Sequence, residues 1–188
     1  MNFQQSLLQT LGIRYILDIQ STQESPGPEK PAEIKTPEPA AEQEMPGPLI
    51  RFLRPAYSAW TYYHLPQDID CNFAGQRWEL LKKIIQGLNW SAGSYTFWPV
   101  SRMHPDGPVP DMDLFLQGLK RISPAYTFVF GKQAFEVLFR DTPYAYGPHL
   151  LKQHKIIALP ALEAMLPDAR LLKFLAWNLL KKYSPAGI

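Results

Sequence analysis

The sequence predicts an α/β domain of three layers, built on a mostly parallel central sheet of about four strands. Three observations predict it. Short β-branched and aromatic runs alternate with helical patterns from Ala56 onward, which implies β-α units with helices on both sheet faces. The run Tyr126 to Phe130 (YTFVF) is apolar almost throughout, as a strand buried on both faces must be. The proline excess (19 of 188 residues) is uneven: seven prolines fall within residues 21–48, which leaves the rest free to pack.

The elements follow in order. Ala56 to Tyr63 reads as a first strand and His64 to Asn72 as a loop. Phe73 to Leu88 contains a helix with Trp78, Leu81, Ile84, Ile85 and Leu88 on one side, loosened at its end by Gly87. Ser94 to Val100 reads as a second strand, and Arg102 to Pro110 as a turn-rich stretch around Asp106-Gly107. Asp111 to Arg121 reads as a helix capped by Asp111 or Asp113. The buried strand Tyr126 to Phe130 turns at Gly131 into a helix over Lys132 to Phe139. Lys155 to Leu159 is a short strand. Pro167 and Asp168 open a last helix with Leu171, Leu172, Leu175 and Leu179 on its apolar face, and Lys181 and Lys182 at its negative end. Crossovers should be right-handed, and a site should lie beyond the carboxyl ends of the strands.

Charge separates three segments. Residues 1–20 are neutral and residues 21–48 carry −4, so residues 49–188 carry +6 of the overall +2. Residues 21–48, rich in Pro, Glu, Ala and Gln, cannot offset their ordering entropy by burial, which predicts a disordered tether. Fully extended it spans at most about 87 Å, and as a coil roughly 30 Å. Beyond it, residues 1–20 place Phe3, Leu7, Leu8 and Leu11 on one helical face, with Gly12 suited to close the helix. So short a helix is marginal alone and needs a partner. It either docks back on its own domain or binds another protein; the long acidic tether favours the second.

Candidate chemistry sits at the expected loops. His64, Asp68 and Asp70 follow the first strand and could do acid–base work. His104 follows the second, and Gly131-Lys132 opens a helix as an anion site would. After the last strand, Glu163 is the lone candidate. His149, Lys152, His154 and Lys155 form a small basic patch. The four histidines show no metal spacing, no phosphate-loop or G-x-S-x-G motif occurs, and the lone Cys71 excludes a disulfide framework and cysteine-rich zinc sites. No metal or cofactor is expected. Trp60, Tyr62 and Tyr63 cannot all share one strand face, so an aromatic contact surface is expected nearby. No apolar run is long enough for a membrane helix. The N-terminus does not read as a signal peptide, and the lone Cys71 suits a reducing compartment, so the expected location is the cytoplasm.

Two resemblances join these readings. FAGQRWELLKKIIQGLNW (73–90), SYTFWPVSRMHPDG (94–107), LKRISPAYTFVFGKQAFEVLF (119–139) and KIIALPALEAMLPDARLLKFLAWNLLKK (155–182) resemble the domain pattern of uracil-DNA glycosylases. The resemblance departs at the catalytic positions. YYHLPQDID (62–70) lacks the glycines of the family's water-activating loop, and Leu159-Pro160-Ala161 stands where the family has His-Pro-Ser. Leu8-Gln9-Thr10-Leu11-Gly12-Ile13-Arg14-Tyr15-Ile16-Leu17 resembles the N-terminal peptide of the psi subunit of bacterial DNA polymerase III, with Ile16 where that family commonly has Trp. That resemblance implies a catalytically silent glycosylase-like body that binds a chi-like subunit, linked in turn to single-stranded-DNA-binding protein. It also implies a peptide (Leu7, Leu8, Leu11, Gly12, Ile13, Ile16, Leu17) that binds the clamp-loader ATPase subunit, with direct DNA binding weak or absent. The expected organisation is therefore peptide 1–20, linker 21–48 and glycosylase-like domain 49–188. The rival readings are a divergent glycosylase using Asp68 or Asp70 to activate water with His64 as electrophile, and a nucleic-acid-binding domain using the +6 charge.

Overall fold

The computed structural model describes residues 47–166 and 169–185. The N-terminal peptide and residues 21–46 of the linker lie outside the described residues, as do Pro167 and Asp168. A 3-10 turn, Gly47–Phe52, takes in the last two residues assigned to the linker and buries Leu49. In chain order there follow β1 (Ser58–Tyr62), α1 (Leu65–Asp70), α2 (Gln76–Leu88), β2 (Tyr95–Phe97), β3 (Ser101–His104) and β4 (Gly107–Pro110). Then come α3 (Met112–Ile122), β5 (Tyr126–Phe130), α4 (Lys132–Leu138), β6 (Gly147–Leu151), β7 (His154–Leu159), α5 (Leu162–Met165) and α6 (Arg170–Lys182).

The main sheet has the order β2-β1-β5-β7-β6. Its first four strands are parallel, as expected, and β6 adds an antiparallel edge. Trp60 pairs in register with Phe97 on one side and Phe128 on the other. Alternation sends Trp60, Phe97 and Phe128 to one face. Trp78 of α2 meets Phe97 there at 5.8 Å, and Trp90, just past α2, meets Trp60 at 5.9 Å. Trp98 points the opposite way, and its indole N–H donates to the Leu114 carbonyl of α3 at 3.1 Å. Helices thus cover both faces. A Cβ on Gly118 of α3 would overlap the buried Trp98 ring, so glycine is what lets this helix reach the sheet.

Four sequence expectations need correction. His64 to Asn72 is mostly α1, because Pro66 is preset for a first helical turn and Leu65 and Ile69 share a buried face. The stretch Arg102 to Pro110 is an antiparallel hairpin, with His104 opposite Gly107 around a Pro105-Asp106 turn. Its prolines are tolerated because the ribbon has only two strands, both edges. The LLKQHK patch is the β6–β7 hairpin, turning at Lys152 and Gln153. The last helix does not bury Leu171, which is 83% exposed; Ala176 and Leu180 are its buried residues, while Leu172, Leu175 and Leu179 are half-buried. Of the two candidate caps of α3, Asp111 acts, its carboxylate accepting the Leu114 N–H at 2.8 Å.

Gly118→Ala is expected to cost about 3 kcal/mol of stability, since the Trp98 indole is enclosed and cannot yield. Urea unfolding of the two proteins measures it.

Candidate functional site

The strand order reverses at β1, whose chain neighbour β2 lies on one side and β5 on the other. The carboxyl ends of β1 and β5 are therefore where a crevice is expected. An open cleft of about 650 Å³ lies there, lined by Tyr63, Pro110, Met112, Gln133, Glu136 and Arg140 among others. None of the candidate residues His64, Asp68, Asp70 or Leu159-Pro160-Ala161 lines it.

Asp68 lies instead in a closed polar cluster. It is only 4% exposed, and both its oxygens are engaged. Arg77, in the first turn of α2, donates Nη2–H to Oδ1 at 2.5 Å and Nε–H to Oδ2 at 2.8 Å. Tyr62, the last residue of β1, donates its hydroxyl to Oδ2 at 2.8 Å. Arg77 also reaches Glu163 of α5 at 3.2 Å. One guanidinium thus joins α1, α2 and α5 beneath the end of β1. Its hydrogen bond to Asp68 holds Arg77 above its ordinary pKa. Burial, and next the Asp68 charge, push the Tyr62 phenol well above its usual value. Asp68 is thus held bidentately by the guanidinium, in the geometry of a strong ion pair.

The other candidates are dispersed. His64 sits at the N-cap of α1 with its ring edge-on to Tyr63 at 5.4 Å. Its buried Nδ1 has no hydrogen-bond partner among the described residues. Asp70 is exposed and borders a separate pocket of about 200 Å³ with Leu49, Ile69 and Ser101. Leu159 and Pro160 are buried. The Leu159 carbonyl accepts from the Gly131 N–H at 2.9 Å and from the Tyr144 hydroxyl at 2.5 Å. Gly131 has φ +92°, and a Cβ on it would come within 3.1 Å of the Ala161 Cβ. The loops after β5 and β7 are therefore packed on each other, and Lys132 pairs with Glu136 at 3.4 Å. His104 lies in the exposed hairpin turn, 3.7 Å from Asp106, and the His149 ring nitrogen Nε2 lies 2.8 Å from the Ala145 carbonyl. Among the described residues no three metal-ligating side chains are grouped.

Sequence reasoning missed Arg77, because its nine-residue separation from Asp68 matches no helical or strand period. It also missed an apolar groove between α2 and α6. Gly87 lets the two helices approach, its hypothetical Cβ only 3.0 Å from the Trp177 ring. Beside that crossing the helices leave a groove of about 340 Å³ lined by Leu80, Ile84, Met165, Phe174, Trp177 and Leu180. Lys83 and Lys173 border it, and Phe174 is 65% exposed. Exposed apolar surface with a polar rim is the anatomy of a protein contact.

No known family model matches the chain, and no curated protein matches it. No helix among the described residues is long and apolar enough to cross a membrane.

Arg77→Met leaves the Asp68 carboxylate buried without its cation and is expected to cost about 3 kcal/mol. The double variant Asp68→Asn/Arg77→Met should recover most of that loss, read by a double-mutant cycle in urea. The raised pKa of Tyr62 sets a pH dependence. Unfolded tyrosine ionises near pH 10 while the folded phenol stays protonated, so its contribution is complete below pH 10 and lost as pH rises through the folded value. Stability should fall as pH rises beyond about 10, and less steeply in Tyr62→Phe, followed by denaturation midpoints from about pH 8 to about pH 11. Tyr144, raised likewise by burial, keeps the slope from vanishing.

Proposed function

We propose that the chain is a non-catalytic accessory subunit of a bacterial DNA polymerase III holoenzyme, of the psi type. The body would have a uracil-DNA glycosylase-like fold whose catalytic loops have become structural. The observation that carries this reading is the use of those loop positions for packing. Asp68 is consumed by Arg77 and Tyr62, and Leu159-Pro160-Ala161 closes against Gly131. The alternation of four parallel strands with helices on both faces supports the fold assignment.

Two binding ends follow. The peptide Leu7, Leu8, Leu11, Gly12, Ile13, Ile16 and Leu17 docks on the clamp-loader ATPase subunit. The folded body meets a chi-like subunit, which leads on to single-stranded-DNA-binding protein. Within the body, the α2–α6 groove is the surface best suited to that contact: it takes apolar side chains, and its two bordering lysines favour a segment flanked by carboxylates.

A pull-down with the clamp-loader ATPase subunit tests the first end. The full chain should be retained, while the Δ1–20 chain and Leu11→Asp fall to background, because the charge would enter an apolar groove. Equal retention of all three overturns the reading. For the second end, Phe174→Glu should weaken capture of the chi-like subunit by about tenfold or more, without loss of fold, since the side chain is largely exposed.

A further inference from the structure

The domain's charge is sorted along the strand axis. Carboxylates gather toward the carboxyl ends of the strands: Asp68 and Asp70 in α1, Glu79 in the first turn of α2, Asp111 and Asp113 at the start of α3, and Glu163 in α5. The opposite end differs. The connections entering β1 (53–57), β2 (89–94) and β5 (123–125), the β6–β7 turn (152–153) and residues 183–185 after α6 contain no Asp or Glu. On or beside them stand Arg54, Lys120, Arg121, Lys152, Lys155, Lys181 and Lys182, all exposed.

Helix dipoles account for part of this, since Lys120, Arg121, Lys181 and Lys182 occupy the last turns of α3 and α6. They do not account for Arg54, Lys152 or Lys155, which lie on no helix. Nor do local ion pairs. Arg77, Lys82, Arg102 and Lys132 each have a carboxylate partner. None of the seven amino-end cations has one among the described residues.

Some of these cations also lie against aromatic rings. Lys155 Nζ lies 5.5 Å from the centre of the Tyr126 ring. Tyr126 lies 5.1 Å from Tyr183, and Lys182 Nζ lies 5.5 Å from Tyr183. The result is a continuous row, Lys155–Tyr126–Tyr183–Lys182, with both rings half-buried and so partly open to solvent. Tyr57 extends the aromatic ground beneath it, 5.8 Å from Tyr126, its hydroxyl donating to the Ser184 carbonyl. The rings are thereby held in place between the end of the sheet and the end of α6.

We propose that this amino-end face binds single-stranded nucleic acid, with the seven cations following the phosphates and the solvent-open parts of the Tyr126 and Tyr183 rings meeting the bases. A pair of fixed rings flanked by ammonium groups matches a strand that carries flat bases and phosphates. An acidic peptide would use the cations but has no bases to stack on the rings. The site lies at the opposite end of the sheet from the crevice where α/β domains usually bind ligands. It goes beyond the accessory-subunit reading, does not depend on it, and departs from the expectation of weak or absent direct DNA binding.

The test uses the full chain and a fluorescein-labelled oligothymidylate about twenty nucleotides long, read by fluorescence anisotropy over a range of salt. Binding should weaken steeply with salt. Lys155→Glu/Lys182→Glu should lower affinity by about tenfold or more and flatten the salt slope. Lys82→Glu/Lys132→Glu, an equal charge change elsewhere, should stay within about twofold. An abasic oligomer of the same length should bind about tenfold more weakly, because it keeps the phosphates and loses the stacking. Thermal melting of each variant confirms the fold. The proposal is overturned by absent binding, by wild-type affinity of the Lys155/Lys182 variant, by equal affinity for the abasic strand, or by poly-glutamate competing as well as the oligonucleotide. Clamp-loader capture is measured separately, so either result stands without the other.

Discussion

Trp60 occupies the middle of β1, and its ring lies within 5.6 to 6.3 Å of the rings of Trp90, Tyr95, Phe97, Phe128 and Phe130. Its indole N–H would be costly to bury alone, and it donates to the Ser58 hydroxyl at 3.0 Å on the same strand face. This one side chain touches residues of β2 and β5 and the segment after α2. The registers Trp60↔Phe97 and Trp60↔Phe128 are consequently tied to its fit, because a slip of one residue would turn it to the other face. On that other face the space between sheet and α3 is taken by Trp98, with Gly118 the residue that makes room. Two tryptophans, one on each side of the sheet, set how near the helices come.

From that core the two ends of the sheet acquire different characters. The carboxyl end is tied by polar bonds: Asp68 to Arg77 and Tyr62, Arg77 onward to Glu163, and the β5 and β7 loops to each other. Among the described residues the amino-end cations have no carboxylate partner, and two of them lie over tyrosine rings. The flank between α2 and α6 is apolar and open. The two ends of the sheet thus differ: the carboxyl end holds the Asp68–Arg77–Glu163 ion pairs, and the amino end gathers exposed cations.

Much of the fold was legible in the sequence. YTFVF could only be a buried strand, and Asp111 ahead of an apolar period could cap a helix. What was less legible has physical causes. Gly147–Leu151 carries Pro148 and alternates buried or half-buried with exposed residues, so it lacks the apolar density of its neighbours and becomes a strand only by pairing with β7. The prolines of Gly107–Pro110 disguise a hairpin as a loop, since proline is acceptable on a free edge. Leu171 fits the helical period of α6, yet it is exposed, and the helix buries Ala176 and Leu180 instead. The stretch after β1 reads as a loop with acid–base candidates, yet it is a helix whose Asp68 pairs with Arg77 from the next helix, a partner the local sequence does not reveal.

Composition and periodicity by themselves determined the class of this protein: an acidic proline-rich segment set before a basic α/β domain, with strands where branched and aromatic residues cluster. Those properties depend on neighbours a few residues apart, which a sequence displays directly. Tertiary structure alone decided which charges meet. Asp68 and Arg77 are nine residues apart, Arg77 and Glu163 are 86 apart, and Tyr126 and Tyr183 come from a strand and a helix end far apart in the chain. Coulombic and ring contacts act over a few ångströms of space, and only folding brings such residues within that range.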